Sequence, residues 1–329
     1  MAFAGRAVAE ERPNFLIIVA DDATWWDFGF TGSPDAKTPH LDRLATESLQ
    51  FTRMYSPASC CSPTRHALYT GLYPIRSGAY PNQTRVKDGT KSLFTHLKET
   101  GYRVALQGKK HVGPAGSFPY EDLGEVPQRA KAATRAFFKS AQADGTPWLL
   151  VYASNEPHIP WTRGDASRWS PDEVTVPPTM VDTPKTREEL VKYHAEISAL
   201  DDEVGDLLSL LDKSGQTERT VVIFLSEQGA QLGAAAKWSC WDAGVRAAAL
   251  IRWPGQVQPG ETDALASYID VTPTVLEIAG LDPAAVDPGC PDAHGKALMD
   301  GRSLLGVLRG EKTVHRDVVF AEHTNVGIN

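Results

Sequence analysis

The chain is 329 residues long, with 42% hydrophobic and 22% charged residues, and its 41 acidic against 33 basic side chains give a net charge of −8 at neutral pH. That length builds one large core or two ordinary ones without disulfide staples, and the composition excludes a mostly disordered protein. The acidic balance argues against a non-specific nucleic-acid binder, and no apolar run reaches the roughly 20 residues that a membrane-spanning helix needs.

At the N-terminus, Ala7-Val8-Ala9 ahead of Glu10-Glu11 looks like the small-residue end of a secretory signal, although no apolar stretch precedes it. A periplasmic or secreted location and a cytoplasmic one both stay open. Residues 1–12 read as a tail and 13–329 as one domain. The first predicted strand is 14–20, NFLIIVA, apolar throughout as a strand buried on both faces is. Stretches 102–107, 148–153, 220–225 and 248–251 read the same way, with 318–321 as a weaker strand. Helices are predicted between them, over 39–51, 92–100, 128–143, 185–213 and 273–279. In the longest, Leu190, Ile197, Leu200, Val204, Leu207 and Leu211 recur at helical spacing, which is a core stripe. Residues 161–184, rich in Pro, Thr, Asp and Ser, read as a long surface loop of the kind that borders active sites. The alternation predicts an α/β fold, a mainly parallel central sheet flanked by helices. In such sheets ligands bind beyond the carboxyl ends of the strands.

The segments just past the strands are polar. Asp21-Asp22 comes after the first, and Lys109-Lys110-His111 after the second. Asn155-Glu156-Pro157-His158 and Ser226-Glu227-Gln228 come after the next two. Taken singly, each suits a cap, a turn or a solvated loop. Arriving together at one rim, carboxylates and an amide oxygen are ligands for a hard cation such as calcium or magnesium. Lysines and histidines beside them can hold an oxyanion and move protons. The four cysteines, Cys60, Cys61, Cys240 and Cys290, make neither a disulfide framework nor a zinc motif. Pro63 suits a first helical turn, so Cys61 is expected near a helix N-terminus with Arg65 close by, where backbone N–H groups favour an anion. A buried apolar role is the other reading open to a free cysteine.

The stretch CSPTR followed by HALYTGLYP resembles the signature of the sulfatase family, a Cys-x-Pro-x-Arg core leading into a helix that ends Leu-x-Thr-Gly. The segments ADD, TPHLDRLA, PHIP, and KW followed by GVRAAALIRWPG add to the resemblance, which spans roughly residues 13–325. It implies an alkaline-phosphatase-like fold. It further implies that a formylglycine-generating enzyme oxidises Cys61 to formylglycine, whose hydrate is the nucleophile. Asp21, Asp22, Glu227 and Gln228, with the group derived from Cys61, would then hold a divalent cation. The family usually has Asp and Asn where Glu227 and Gln228 stand, one methylene shorter each. Calcium tolerates variable geometry better than magnesium does, so Ca2+ is the expected ion. Arg65, Lys109 and His111 would stabilise the nucleophile, and His158 and Lys237 would contact the sulfate and assist the leaving atom.

Two further departures stand out. Thr64 takes the place of the usual Ser or Ala, and the C-terminal antiparallel subdomain expected of the family is missing or incomplete. The implied substrate is a sulfated sugar. The string GKKHVGP, with Lys110, is similar to the heparan N-sulfatase (sulfamidase) branch and points to N- or O-sulfated glucosamine from glycosaminoglycans. A mere surface role for Lys110 is the competing reading. Two rivals share the resemblance: a phosphonate or phosphate-ester hydrolase, and a non-catalytic protein that binds sulfated glycans.

Overall fold

The computed structural model describes residues 12–126, 130–233 and 236–324, so nearly all of the tail predicted over 1–12 lies outside the described residues. In chain order the elements begin β1 (Asn14–Val19), α1 (Pro39–Thr46), β2 (Leu49–Tyr55), α2 (Cys61–Thr70), α3 (Pro74–Ser77), α4 (Leu93–Glu99), β3 (Arg103–Gly108) and β4 (Glu121–Asp122). They continue with α5 (Ala130–Asp144), β5 (Trp148–Ala153), α6 (Pro184–Lys213), β6 (Thr220–Leu225), α7 (Asp242–Val245) and β7 (Arg246–Arg252). The last are β8 (Gly260–Thr262), β9 (Ala266–Ser267), α8 (Val271–Ile278) and α9 (Leu305–Leu308). The strands form one sheet in the order β4-β3-β5-β1-β6-β7-β2-β8, with β9 also on β2. Only β7 runs against its neighbours β6 and β2; every other pairing is parallel.

The apolar run of β1 explains the layering. Successive side chains of a strand point to opposite faces. Phe15, Ile17 and Val19 pack into a cluster with Leu68 of α2, Leu93 and Phe94 of α4, and Val275 of α8. Leu16 and Ile18 pack with Leu41 of α1, Phe137 of α5, and Leu200 and Val204 of α6. The sheet is therefore covered on both faces, and β1 lies at its centre between β5 and β6.

The register then positions the site. Val19 pairs with both Ala153 and Leu225, and Ala153 pairs with Gly108, so four parallel strands end in one row. The next residues remain laced together: Asp21 N–H donates to Glu156 O at 2.9 Å, and Lys109 N–H donates to Ala153 O at 2.9 Å. The residues just past β1, β3, β5 and β6 must therefore share one edge.

The structure corrects three expectations. The helix expected over 39–51 stops at Thr46, and Leu49–Tyr55 is β2. Phe51 and Met54 are buried there against the sheet, and pairing with β7 overrides the helical reading. The strand over 248–251 exists, as part of β7, but it is antiparallel. Residues 318–321 form no strand; isolated bridges from Ala58 to Glu322 and from Pro81 to Thr324 lie just past them. The loop over 161–184 is irregular as expected apart from one turn of 3-10 helix, Ala166–Arg168, and ends where Thr183 caps α6 by accepting from Thr186 N–H at 3.1 Å.

Candidate active site

At the carboxyl edge of the sheet, Asp21, Asp22 and Glu227 come together with ligand oxygens all within 4.8 Å of one another. All three are buried, as is Gln228. Gln228 joins them by donating its amide to Asp22 Oδ1 at 2.6 Å. Arg65, fully buried on α2, donates Nε to Glu227 Oε1 at 2.5 Å and NH1 to Lys109 O at 3.0 Å. Lys109 bonds Asp21, and Lys237 Nζ lies 2.6 Å from Asp22 Oδ2. His158 Nε2 stands 3.5 Å from the same Asp22 oxygen. Three carboxylates thus face three fixed cations.

Three oxygens of this cluster accept no hydrogen bond, Asp21 Oδ1, Glu227 Oε2 and Gln228 Oε1, although Arg65 NH2 stands 3.9 Å from the first. Unpaired buried oxygens are costly. A group of such oxygens, two of them from carboxylates, has the donor chemistry of a calcium or magnesium site, so the residues present fit a divalent cation. The extra methylene of Glu227 and Gln228 does not take them out of the cluster.

The charges shape one another. Burial would raise Asp21, but Lys109 and Glu227 hold it well below the usual carboxylate range. Burial and the neighbouring Asp21 raise Asp22 to about 6, against the pull of Lys237. Burial pushes Glu227 well up, with Arg65 opposing. For Lys109 and Lys237, burial disfavours the charge, yet Asp21 and Asp22 respectively outweigh it, so both stay protonated.

Cys61 opens α2, its backbone preceded by the extended Cys60, and Gly71 closes the helix with φ 69°. The thiol is buried at the wall of a cavity of about 660 Å³ that Asp21, Lys109, His111, His158 and Lys237 also line. Contact with Cys60 holds the Cys61 thiol low, and His111 and Lys109 add to this against the effect of burial. The neighbouring side chains thus favour an anion at the position that opens α2. The buried apolar alternative for Cys61 does not fit these neighbours.

The expected site residues therefore converge, with two distinctions of position. Arg65 lies beneath the cavity, where it braces Glu227, and like Asp22, Glu227 and Gln228 it does not line it. Lys110 points to Asp122 at 2.5 Å, does not line the cavity, and has the surface role. Sequence reading did not single out Asn82, Gln83, Thr162, Arg163 and Gln231, which line the same cavity, and Trp238, which lines it too, entered only within the KW segment of the resemblance. Asn82 Oδ1 is 3.9 Å from Cys61 Sγ. Arg163 is held by Glu156 and, at 2.6 Å, by Glu203. For Thr162 and Arg163 the signal was the loop over 161–184, which does border the site.

Comparison with known proteins agrees with this geometry. The family model described as Sulfatase matches residues 13–281. An ulvan-active sulfatase of Formosa agariphila is 29% identical over 97% of this chain and 62% of its own length. The human N-sulphoglucosamine sulphohydrolase is 31% identical over 91% of this chain and 67% of its own. The chain thus spans about two thirds or less of these relatives. Among solved structures, a Bacteroides thetaiotaomicron protein of glycosaminoglycan metabolism superposes with a TM-score of 0.74 at 22% identity, covering 94% of this chain and 78% of that one. The phosphonate monoester hydrolase of Agrobacterium radiobacter does so with 0.73 at 18% identity, covering 91% and 77%. At these identities the two structures establish the fold alone.

Proposed function

The chain belongs to the sulfatase family, and from that premise we propose that it hydrolyses a sulfate ester or sulfamate on a sugar, such as glucosamine from a glycosaminoglycan. The observation that carries this reading is a buried group of oxygens without hydrogen-bond partners, set beneath a cavity that Cys61 lines together with Asp21, lysines and histidines. A formylglycine hydrate made from Cys61 by a formylglycine-generating enzyme supplies the nucleophile, and a divalent cation, calcium in this reading, supplies Lewis acidity.

The chain's own residues do the rest. Asp21, Asp22, Glu227 and Gln228 would hold the cation. Arg65 opposes the effect of burial on Glu227 and aims its carboxylate. Lys109 and His111 flank position 61 and favour a negative oxygen there. Lys237 Nζ meets the sulfate oxygens, with Asp22 keeping the amine protonated. His158 Nε2 delivers a proton to the bridging oxygen or nitrogen as its bond to sulfur breaks. Sugar alcohol or amine would leave with that proton, and the second hydroxyl of the hydrate would then lose its proton and expel inorganic sulfate by carbon–oxygen cleavage, regenerating the aldehyde that water rehydrates. A divalent cation added to a balanced set of carboxylates and cations is offset by the sulfate ester and the ionised nucleophile, so the closed site stays near neutral. A polymeric sulfated sugar is met outside the cytoplasm, and a periplasmic or secreted location is part of this proposal.

Sulfate release tests it. Protein co-expressed with a formylglycine-generating enzyme, with conversion of Cys61 confirmed by mass, is supplied with calcium and a panel of N-sulfo, O-sulfo and aryl sulfates and phosphonate esters. The expected result is sulfate release with highest kcat/KM on a sulfated sugar. Higher kcat/KM on a phosphonate ester would instead establish the phosphonate-hydrolase reading. No turnover of any ester, with sulfated glycans still bound, would establish the non-catalytic one.

A further inference from the structure

Five non-glycine residues among those described have a left-handed backbone: Asp22 (φ 67°), Gln83 (62°), His111 (50°), Glu227 (60°) and Trp238 (67°). Such conformations are sparsely populated, and for a residue as bulky as Trp they are outliers that persist only where the surroundings enforce them. Three of the five are the residues already assigned to the cation and to position 61. The other two, Gln83 and Trp238, line the same cavity and have had no role.

Their surroundings do enforce the conformation. Trp238 N–H donates to Ser59 O at 2.9 Å, two residues before Cys61, and the flanking Lys237 N–H donates to Ala230 O at 3.0 Å. Gln83 N–H is held by Asn82 Oδ1 at 3.1 Å, the same oxygen that faces Cys61. In an extended chain, successive side chains diverge. The turn at Trp238 instead sends both Lys237 and Trp238 to the cavity, with Lys237 Nζ 5.4 Å from the indole ring. Trp238 is 48% exposed and Gln83 is exposed too, so both stand at the mouth, above the buried floor.

We infer that Trp238 and Gln83 form the sugar subsite of this cavity, the indole stacking on the apolar face of the pyranose that carries the sulfate and the Gln83 amide bonding its hydroxyls. The inference rests on the sulfatase reading and extends it to the ring. A cavity of about 660 Å³ is far larger than a sulfate group requires. Asn82, Asn155, Thr162 and Gln231 add amides and a hydroxyl to its wall. A hydroxyl-rich ring satisfies these groups, whereas an aryl group would leave them unpaired.

Calorimetric titration of the Cys61→Ala protein with calcium present tests this without turnover. Three probes are used: the methyl glycoside of a sulfated glucosamine, an aryl sulfate, and inorganic sulfate. In the Cys61→Ala background, Trp238→Ala is expected to raise Kd for the sulfated sugar by about 10-fold, and for inorganic sulfate much less. Trp238→Phe should recover most of the sugar affinity, and Gln83→Ala should weaken the sugar more than the aryl sulfate. Equal losses for sugar and inorganic sulfate would overturn the subsite and make Trp238 a support for Lys237. Tighter binding of the aryl sulfate than of the sugar would overturn the ligand class. Inorganic sulfate bound without any preference for the sugar removes the subsite alone. Failure of all three probes, inorganic sulfate included, removes the sulfatase reading and the subsite with it.

Discussion

The floor of the cavity and its mouth are built differently. On the floor, Asp21, Arg65, Glu227 and Gln228 have no exposure to solvent and each is fixed by charge or hydrogen bonding to another group of the site. At the mouth, Trp238 and Gln83 stand open to solvent, and Arg163 is anchored from behind by Glu156 and Glu203. Backbone strain is shared between the two regions. What separates them is the consequence of change: a floor residue leaves a buried charge unpaired, while a mouth residue leaves a surface that water can fill. In the proposed function, chemistry belongs to the first and choice of substrate to the second.

Substitutions can break that contrast, and the largest effect is expected at Cys61. Cys61→Ala should lower kcat by on the order of 10⁵-fold or more, to background in a sulfate-release assay. Next comes Arg65→Ala, which strands Glu227 and Asp21 in a dry site. It should cost about 3–5 kcal/mol of stability in urea unfolding, whereas Trp238→Ala should cost much less. Lys237→Ala should reduce kcat/KM by about 10²–10³-fold, the effect of losing one preorganised donor to a transition-state oxygen. Unchanged kinetics there would remove its role at the sulfate.

Two smaller expectations calibrate the contrast outside both regions. His96 is buried on α4, and burial lowers its pKa to about 4, with Glu99 opposing. The unfolded chain, with histidine near 6.5, then binds more protons than the folded one between those values. The contribution is complete above pH 6.5 and lost as pH falls toward 4, by up to about 3 kcal/mol. Melting temperature against pH should steepen in that window and flatten in His96→Phe. Lys110→Ala removes only a surface ion pair to Asp122, so kcat/KM on any sulfated sugar should change by no more than about twofold.

The floor was legible because its residues come directly after apolar strands whose bounds the pattern reveals. Residues 148–153 and 220–225 were placed as β5 and β6 are found, and the flush register made their polar successors neighbours. β2 was missed because Leu49–Tyr55 lies close behind α1, and only its pairing with β7 makes it a strand. Antiparallel β7 was hidden for a related reason: a short buried strand does not carry its direction in its composition. At the mouth, nothing in the residue types of Gln83 or Trp238 marks a site; their signal is a dihedral angle. Lys110 shows the reverse. It sits inside the Lys109–His111 segment, yet its side chain leaves the cavity for Asp122.

The central claim is that the floor is a closed site for a divalent cation, and calcium-dependent thermal stability tests it most directly. Ligand at free concentration c that binds only the folded state raises its stability by RT ln(1 + c/Kd), logarithmically in concentration above Kd. For the Cys61→Ala protein, the expected result is a rise in Tm as calcium is added that tends toward this logarithmic form, larger than with magnesium and absent in the same protein carrying Asp22→Asn. No rise, or the same small rise with and without the Asp22 carboxylate, would contradict it.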